Sequence, residues 1–540
     1  MATSRHSRRL LRTTTAAVFA ATTLLVSGCS PGGGGQAAPD AAASPGRAHD
    51  AGAEHATPDD ASSVLAPLPP AIPAKLRPYY DQKLSWHACG VSGFECATMK
   101  APLDYGKPGS GTDIKLAVAR KKATGPGARI GSLMVNPGGP GGSAIDYLQQ
   151  YAPQPAAVRA RYDMVAMDPR GVARSSPVQC LSNKQMDRFT QTDQTPDSAA
   201  EVNTLTTAYR NFSKACEARS GKLLGHVSTI EAARDMDMLR ALLHDKKLTY
   251  VGASYGTFLG ATYAGLYPSR TGRLVLDGAM DPALDSRTVN INQTAGFNTA
   301  FTAFATDCIK RKGCPLGNKS AEDAGRNLSA FFKKLDAHPV ETGEARKLTE
   351  SLATTGVIAA MYDEGSWPTL RQYLAQAQKG NGRGLLTLSD SYYERDAEGR
   401  YANQMYANPA VNCLDLPPAF TTAGQVRAAA PAFRKASPVF GDAFAWAALN
   451  CAYWPVKPTA GAHRIEAKGA APIVVVGTTR DPATPYTWAK SLARQLSSAT
   501  LLTYEGDGHT AYGRGSDCID TAINTYLLEG TAPAKNKRCT

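Results

Sequence analysis

Three residues in one order carry chemistry in this chain: Ser254, Asp481 and His509. Ser254 lies in Gly252-Ala253-Ser254-Tyr255-Gly256, between a short β-rich run at 248–251 and a helical pattern at 257–267. A serine on a sharp strand-to-helix turn holds its hydroxyl clear of the sheet, and the two glycines let strand and helix come close there. Asp481 follows the apolar run 472–477, within Thr479-Arg480-Asp481-Pro482-Ala483-Thr484-Pro485. His509 follows the run 499–504, within Glu505-Gly506-Asp507-Gly508-His509. A nucleophile, an acid and a base at three successive strand ends are the parts of an acyl-transfer triad. The acid and the base have rivals. Asp481 before Pro482 could be a turn former. Asp507 competes as the acid, but two residues from His509 it is poorly placed to approach the ring from behind. His463 and His244 compete as the base, one in an insertion and the other on a helix before the nucleophile.

A second stretch fits the same chemistry. The buried-type run 131–136 leads straight into Pro137-Gly138-Gly139-Pro140-Gly141-Gly142-Ser143, with a helix expected from Ala144. The spacing does not fit the dinucleotide fingerprint, and there is no lysine for a phosphate loop. Bare backbone that must approach a developing negative charge is the remaining reading, so Gly139 and Tyr255 are the expected oxyanion donors. Asp168 and Arg170, after the run 162–168, read as a structural ion pair shaping a turn.

The elements that must position these residues alternate strand and helix. Residues 84–122 read as β-structure, 229–244 as an amphipathic helix, 272–278 as the strand after the nucleophile helix, and 486–496 as another helix. Residues 499–504 read as the last strand. Residues 180–227 are polar and helical, an insertion into the core. From 282 to 461 the alternation stops and helical patterns dominate, as in a cap over a site, with Trp367 in the cap's own core. The expected fold class is α/β, with a mostly parallel central sheet and a large, mainly helical cap.

The 540 residues are 43% hydrophobic and 19% charged, ample for a large core. The net charge is +13, and +9 without residues 1–28. It is dispersed, which argues against nucleic-acid recognition. Residues 1–12 are basic, and 16–26 form an apolar stretch too short to span a bilayer comfortably. The stretch ends in Val26-Ser27-Gly28-Cys29, which resembles a bacterial lipobox with lipid on Cys29; an ordinary or twin-arginine signal is the alternative. Residues 29–70 read as a disordered tether, 71–281 and 462–540 as the two parts of the core, and 282–461 as the cap. Of the 11 cysteines, ten remain once Cys29 is set aside. Pairing in sequence order would give Cys89–Cys96, Cys180–Cys216, Cys308–Cys314, Cys413–Cys451 and Cys518–Cys539, although spacing does not fix connectivity. No C-x-x-C pair or His-rich helix suggests zinc, and no metal or organic cofactor is expected.

Taken together, the elbow around Ser254, the loop Asn136 to Gly142, Asp168-Pro169-Arg170-Gly171, the segment Thr479 to Pro485 and Gly508-His509 resemble the secreted bacterial tripeptidyl aminopeptidases. These are α/β-hydrolase peptidases related to proline iminopeptidase. The resemblance spans roughly residues 75–540 and, with the lipobox, is closest to lipoprotein members. Relatives often begin the glycine loop with histidine; Pro137 stands there here, so only the backbone role carries over. The resemblance implies release of tripeptides, or similar short pieces, from free N-termini. The substrate ammonium then needs an acidic anchor in the cap, for which Asp415 and Glu394 are candidates. It also implies peptide substrates, a monomer, and export to the outer face of the bacterial membrane. An esterase on the same triad and a non-catalytic peptide-binding lipoprotein are the rival functions.

Overall fold

The sheet that carries the site is built from strands whose two faces are both covered. A computed structural model describes residues 63–125, 127–150 and 155–540. The leader, Cys29 and the tether as far as residue 62 lie outside the described residues. Ten strands form one sheet: β1 (His87–Ala88), β2 (Glu95–Pro102), β3 (Asp113–Lys121), β4 (Gly131–Asn136), β5 (Tyr162–Met167), β6 (Leu248–Ala253), β7 (Thr271–Asp277), β8 (Ile473–Arg480), β9 (Ala499–Asp507) and β10 (Lys537–Cys539). Their order is β1-β2-β3-β5-β4-β6-β7-β8-β9-β10. The pairings β1–β2, β2–β3 and β3–β5 are antiparallel; from β5 to β10 the sheet is parallel. Parallel strands need helical crossovers that cover both faces, so they read as continuous apolar runs. All six residues of β4 are buried.

Two crossovers matter most for the site. The helix Tyr255–Leu266 is apolar almost all round, and only Phe258 is not buried. Such a helix belongs inside a core. The helix Thr229–Leu242 buries Ala233, Met236 and Leu239 as its periodicity predicts, but also Asp235 and Asp237. Residues on its outer side satisfy them. Tyr105 donates to Asp235 at 2.7 Å and Tyr80 to Asp237 at 2.8 Å.

Two expectations need correction. The strand 499–504 is not the last. β10 adds in parallel beside β9, and Cys518–Cys539 ties this three-residue strand to the preceding helix. Residues 63–70 are not free tether. Leu65 donates to the Arg464 carbonyl and Leu68 to the Leu266 carbonyl, both at 2.9 Å. The Arg270 guanidinium holds the Pro70 carbonyl. The insertion at 180–227 belongs to the core, as expected, through Cys180, Met186, Phe212, Cys216, Leu224 and Val227, and it also reaches the roof. Its long helix Ala199–Leu224 packs Leu205 and Tyr209 against Phe433 and Trp446 of the cap.

The cap leaves the sheet after β7 and returns before β8, and its ends meet where His463 N–H donates to the Pro282 carbonyl at 2.9 Å. It has its own apolar core, including Phe301, Phe304, Leu352 and Leu370. Trp367 meets Phe304 edge-on with ring centres 6.0 Å apart. All five cysteine pairs join in sequence order. No helix among the described residues is long and apolar enough to cross a membrane.

Candidate active site

Ser254 is the hinge residue between β6 and the helix Tyr255–Leu266, with φ 56° and ψ −126°. A non-glycine residue rarely adopts such angles, and the surroundings must hold it there. Its N–H donates to the Asp277 carbonyl at 2.9 Å. Its own carbonyl accepts from the Thr257 N–H at 2.8 Å and the Thr257 hydroxyl at 2.6 Å. The flanking glycines are required by space. A Cβ on Gly252 would meet the Gly256 carbonyl oxygen at 2.4 Å, and one on Gly256 would meet the Asn136 carbonyl oxygen at 2.8 Å.

The glycine loop passes directly over this turn. A Cβ on Gly138 would lie 2.5 Å from the Ala253 carbonyl oxygen, 2.8 Å from the Tyr255 nitrogen and 2.9 Å from the Ser254 Cβ. Gly138 and Gly139 have φ of 94° and 112°, the left-handed range that favours glycine. Tyr255 opens its helix, so its N–H has no intrahelical acceptor. Gly139, the next residue of the loop, lines the same cavity as Ser254.

Asp481 and His509 come together at the ends of β8 and β9. Both carboxylate oxygens of Asp481 lie 2.9 Å from His509 Nδ1. Asp481 is 2% exposed, and its carboxylate is oriented by N–H groups of Ala483 at 2.9 Å, Thr484 at 2.8 Å and Thr510 at 3.2 Å. Ser254, His509, Gly138 and Gly139 line one cavity of about 390 Å³, roofed by Tyr362, Tyr392 and Met405 of the cap.

The rivals are occupied elsewhere. Asp507 forms a two-point ion pair with Arg480 at 2.6 Å for each contact. His463 Nδ1 bonds the Gly461 carbonyl at 2.7 Å. His244 precedes β6, at the end of that strand away from Ser254. Asp168 and Arg170 are structural but not each other's partners. Arg170 makes a fully buried pair with Asp235 at 2.7 and 2.8 Å. Asp168 accepts from Ser143 at 2.8 Å and Ile145 N–H at 3.1 Å, pinning the helix after the glycine loop.

A family model described as TAP-like protein matches residues 437–539. The chain is 38% identical over 489 residues to the serine protease Hip1 of Mycobacterium tuberculosis, covering 86% of this chain and 92% of the relative. It is 38% identical over 478 residues to a protein of the same species named carboxylesterase B, covering 86% and 91%. It is 31% identical over 480 residues to the tripeptidyl aminopeptidase of Streptomyces lividans, covering 84% and 86%. The chain belongs to the TAP-like family of α/β-hydrolases. Among solved structures, esterase E22 is similar at 13% identity and a TM-score of 0.35, covering 80% of this chain and 100% of that one. The enol-lactonase from Burkholderia xenovorans LB400 is similar at 12% and 0.33, covering 77% and 95%. Likeness at that level adds nothing to the assignment.

Neither expected ammonium anchor of this TAP-like protein reaches the cavity. Asp415 ends the helix Gln404–Asp415, whose other end supplies Gln404, Met405 and Asn408 to the roof. Its carboxylate is buried against Thr229, accepting from the N–H at 2.8 Å and the hydroxyl at 2.5 Å, and burial pushes its pKa up to about 7. Glu394 sits at a turn with φ 50°, beside Asp146, off the cavity walls. Burial raises it, also to about 7.

Two groups escaped the sequence reading. Asp277 ends β7 and accepts the N–H groups of Ala511 and Tyr512 at 2.9–3.1 Å, which fixes the loop after His509. Its place at a strand's C-terminal end was the available signal. Glu350 lines a second cavity of about 390 Å³. Its walls share Gly139, Tyr362, Tyr392, Met405 and Asn408 with the cavity at Ser254. Glu350 opens a cap helix after Thr349, where an acid is ordinary, so no sequence signal marked it.

Proposed function

We propose that this TAP-like protein is a serine exopeptidase that releases tripeptides, or similarly short peptides, from free N-termini through an acyl-enzyme. Ser254 attacks the scissile carbonyl. His509 takes its proton and returns it to the leaving amine, while Asp481 fixes the ring tautomer and stabilises the imidazolium. The N–H groups of Tyr255 and Gly139 hold the oxyanion, each worth about 3 kcal/mol in the transition state. Water then resolves the ester. The observation that carries this reading is the Asp481–His509 pair at 2.9 Å, with His509 and Ser254 on the wall of one roofed cavity. A roofed cavity favours counting from a chain end over cutting inside a folded protein. The peptidase names of two relatives support amide substrates.

The name of the third relative favours a second reading, a carboxylesterase on the same three residues. Peptide anilides and esters of matched acyl part separate the two. The direct test is a mass spectrum of products from a mixed peptide library. Tripeptides from unblocked N-termini support the proposal; fragments from chain interiors contradict it. We further propose that Cys29 is lipidated and holds a monomer at the outer face of the membrane, or is the point from which it is shed. A Cys29→Ser protein is then expected in the soluble or unprocessed fraction. A mature N-terminus elsewhere than Cys29 would end that idea.

A further inference from the structure

We propose that Glu350 selects substrates by their free amino terminus: the peptide ammonium lies against its carboxylate, across the shared cavity walls from Ser254. This rests on the exopeptidase reading of the site and supplies the recognition that reading requires.

The cavity itself points to a cation. Among the described residues lining it, Glu350 is the only charged one; Gln194, Gln293, Asn408, Asn412 and Asn450 are neutral amides, and much of the remainder is aromatic or aliphatic. A lone carboxylate on a mostly neutral wall is a costly feature unless something pairs with it. Its local partners fall short. The Thr195 hydroxyl lies 2.9 Å from Glu350 Oε2 and 3.0 Å from Asp193 Oδ1. The Thr195 N–H also serves Asp193 Oδ1 at 2.7 Å, so one hydroxyl and one N–H face the four oxygens of two carboxylates, and acceptors outnumber donors. Asp336 stands nearby, and the three acids place one carboxylate oxygen each within 4.8 Å of one another. An ammonium brings three N–H donors and a positive charge to that corner.

The groups facing Glu350 also set a pH signature. Burial and the charges of Asp193, Asp336 and Asp197 push Glu350 up to about 7, against the hydrogen bond from Thr195. Glu201 and Lys333 act on the neighbouring acids, Glu201 on Asp193 and Asp197, Lys333 on Asp197. Below about pH 7 Glu350 takes up a proton and loses its hold on an ammonium. Above about pH 8 a peptide amine loses its own proton. The advantage of a free over an acetylated N-terminus is therefore greatest between those limits and falls on both sides.

The test uses the full protein and a tripeptide anilide, free and N-acetylated. In the wild type, kcat/KM is expected to favour the free amine at least a hundredfold at pH 7.5. Glu350→Gln is expected to cut that ratio at least tenfold, chiefly through KM of the free peptide, with phosphonate labelling of Ser254 unchanged. Glu350→Asp, which keeps the charge, is expected to fall between. A wild-type preference that survives Glu350→Gln would overturn the assignment and leave the peptidase reading standing. A wild type that labels but cleaves neither peptide would remove the peptidase reading, and this inference with it. The pH dependence of the wild-type ratio needs no variant: a ratio that stays flat from pH 5.5 to 7.5 would also overturn it.

Discussion

The backbone N–H of His509 donates to the carbonyl oxygen of Tyr362 at 2.9 Å, so the cap holds the loop of the proposed base directly. The Tyr362 ring stands edge-on to the imidazole, with centres 5.4 Å apart and planes at 83°. Arg514 closes the arrangement, donating to the Tyr362 carbonyl at 3.1 Å and the His509 carbonyl at 2.8 Å. Its other nitrogen pairs with Asp363 at 3.0 Å and Glu364 at 2.5 Å. Arg514→Ala is expected to lower kcat by about ten- to a hundredfold, because small displacements of a reacting group are costly. Steady-state kinetics check this; an unchanged kcat would mean that the sheet alone fixes His509.

Asp481→Asn should lower kcat by roughly 10⁴-fold by presenting the wrong tautomer partner. Asp507→Asn should cost far less, because Asp507 is paired with Arg480 at the surface. Parallel kinetics of the two variants decide it, and the reverse ranking would exchange their roles.

Gly138→Ala places a methyl 2.8 Å from the Tyr255 nitrogen and 2.5 Å from the Ala253 carbonyl oxygen, at a φ that alanine resists. The loop must move, and the oxyanion donors with it. A loss of about 10²-fold in kcat is expected, with smaller change in KM. A variant of wild-type kcat would show that this loop is not part of the oxyanion site.

Asp415 gives a stability signature. An unfolded aspartate titrates near 3.9, whereas this one is held up to about 7 by burial. The folded state therefore keeps its proton longer. The contribution is present in full below about pH 4 and is lost as pH rises to about 7. Asn can accept from the Thr229 N–H and donate to the Thr229 hydroxyl without that loss. Asp415→Asn is expected to match the wild type at pH 4 and to exceed it in Tm at pH 8 by several degrees, on the order of 4 kcal/mol. Thermal melts at both pH values test this; an equal offset at both would mean that the carboxyl is not titrating.

What could be read from the sequence follows its local physics. β4 and β8 are continuous apolar runs because both faces are covered, and β6 stops at Ser254 because the turn requires Gly252 and Gly256. The approach of Asp481 to His509 was legible because each ends a strand in the expected chain order. Long-range choices were not legible. Asp235 and Asp237 look like a solvated helix face, but residues from the N-terminal part of the chain cover them. β10 is three residues long and is held by a disulfide rather than by propensity. Glu350 and Asp415 are both cap acids in sequence; packing alone puts one on a cavity wall and the other against Thr229.

The central claim is that Ser254 is the nucleophile of an acyl-enzyme. Intact mass and peptide mapping after treatment with a fluorophosphonate test it most directly. The expected result is one adduct per chain, on the peptide containing Ser254, with loss of activity in step and no adduct on Ser254→Ala. An adduct on Ser254→Ala at the wild-type rate, or full activity retained by that variant, would contradict it.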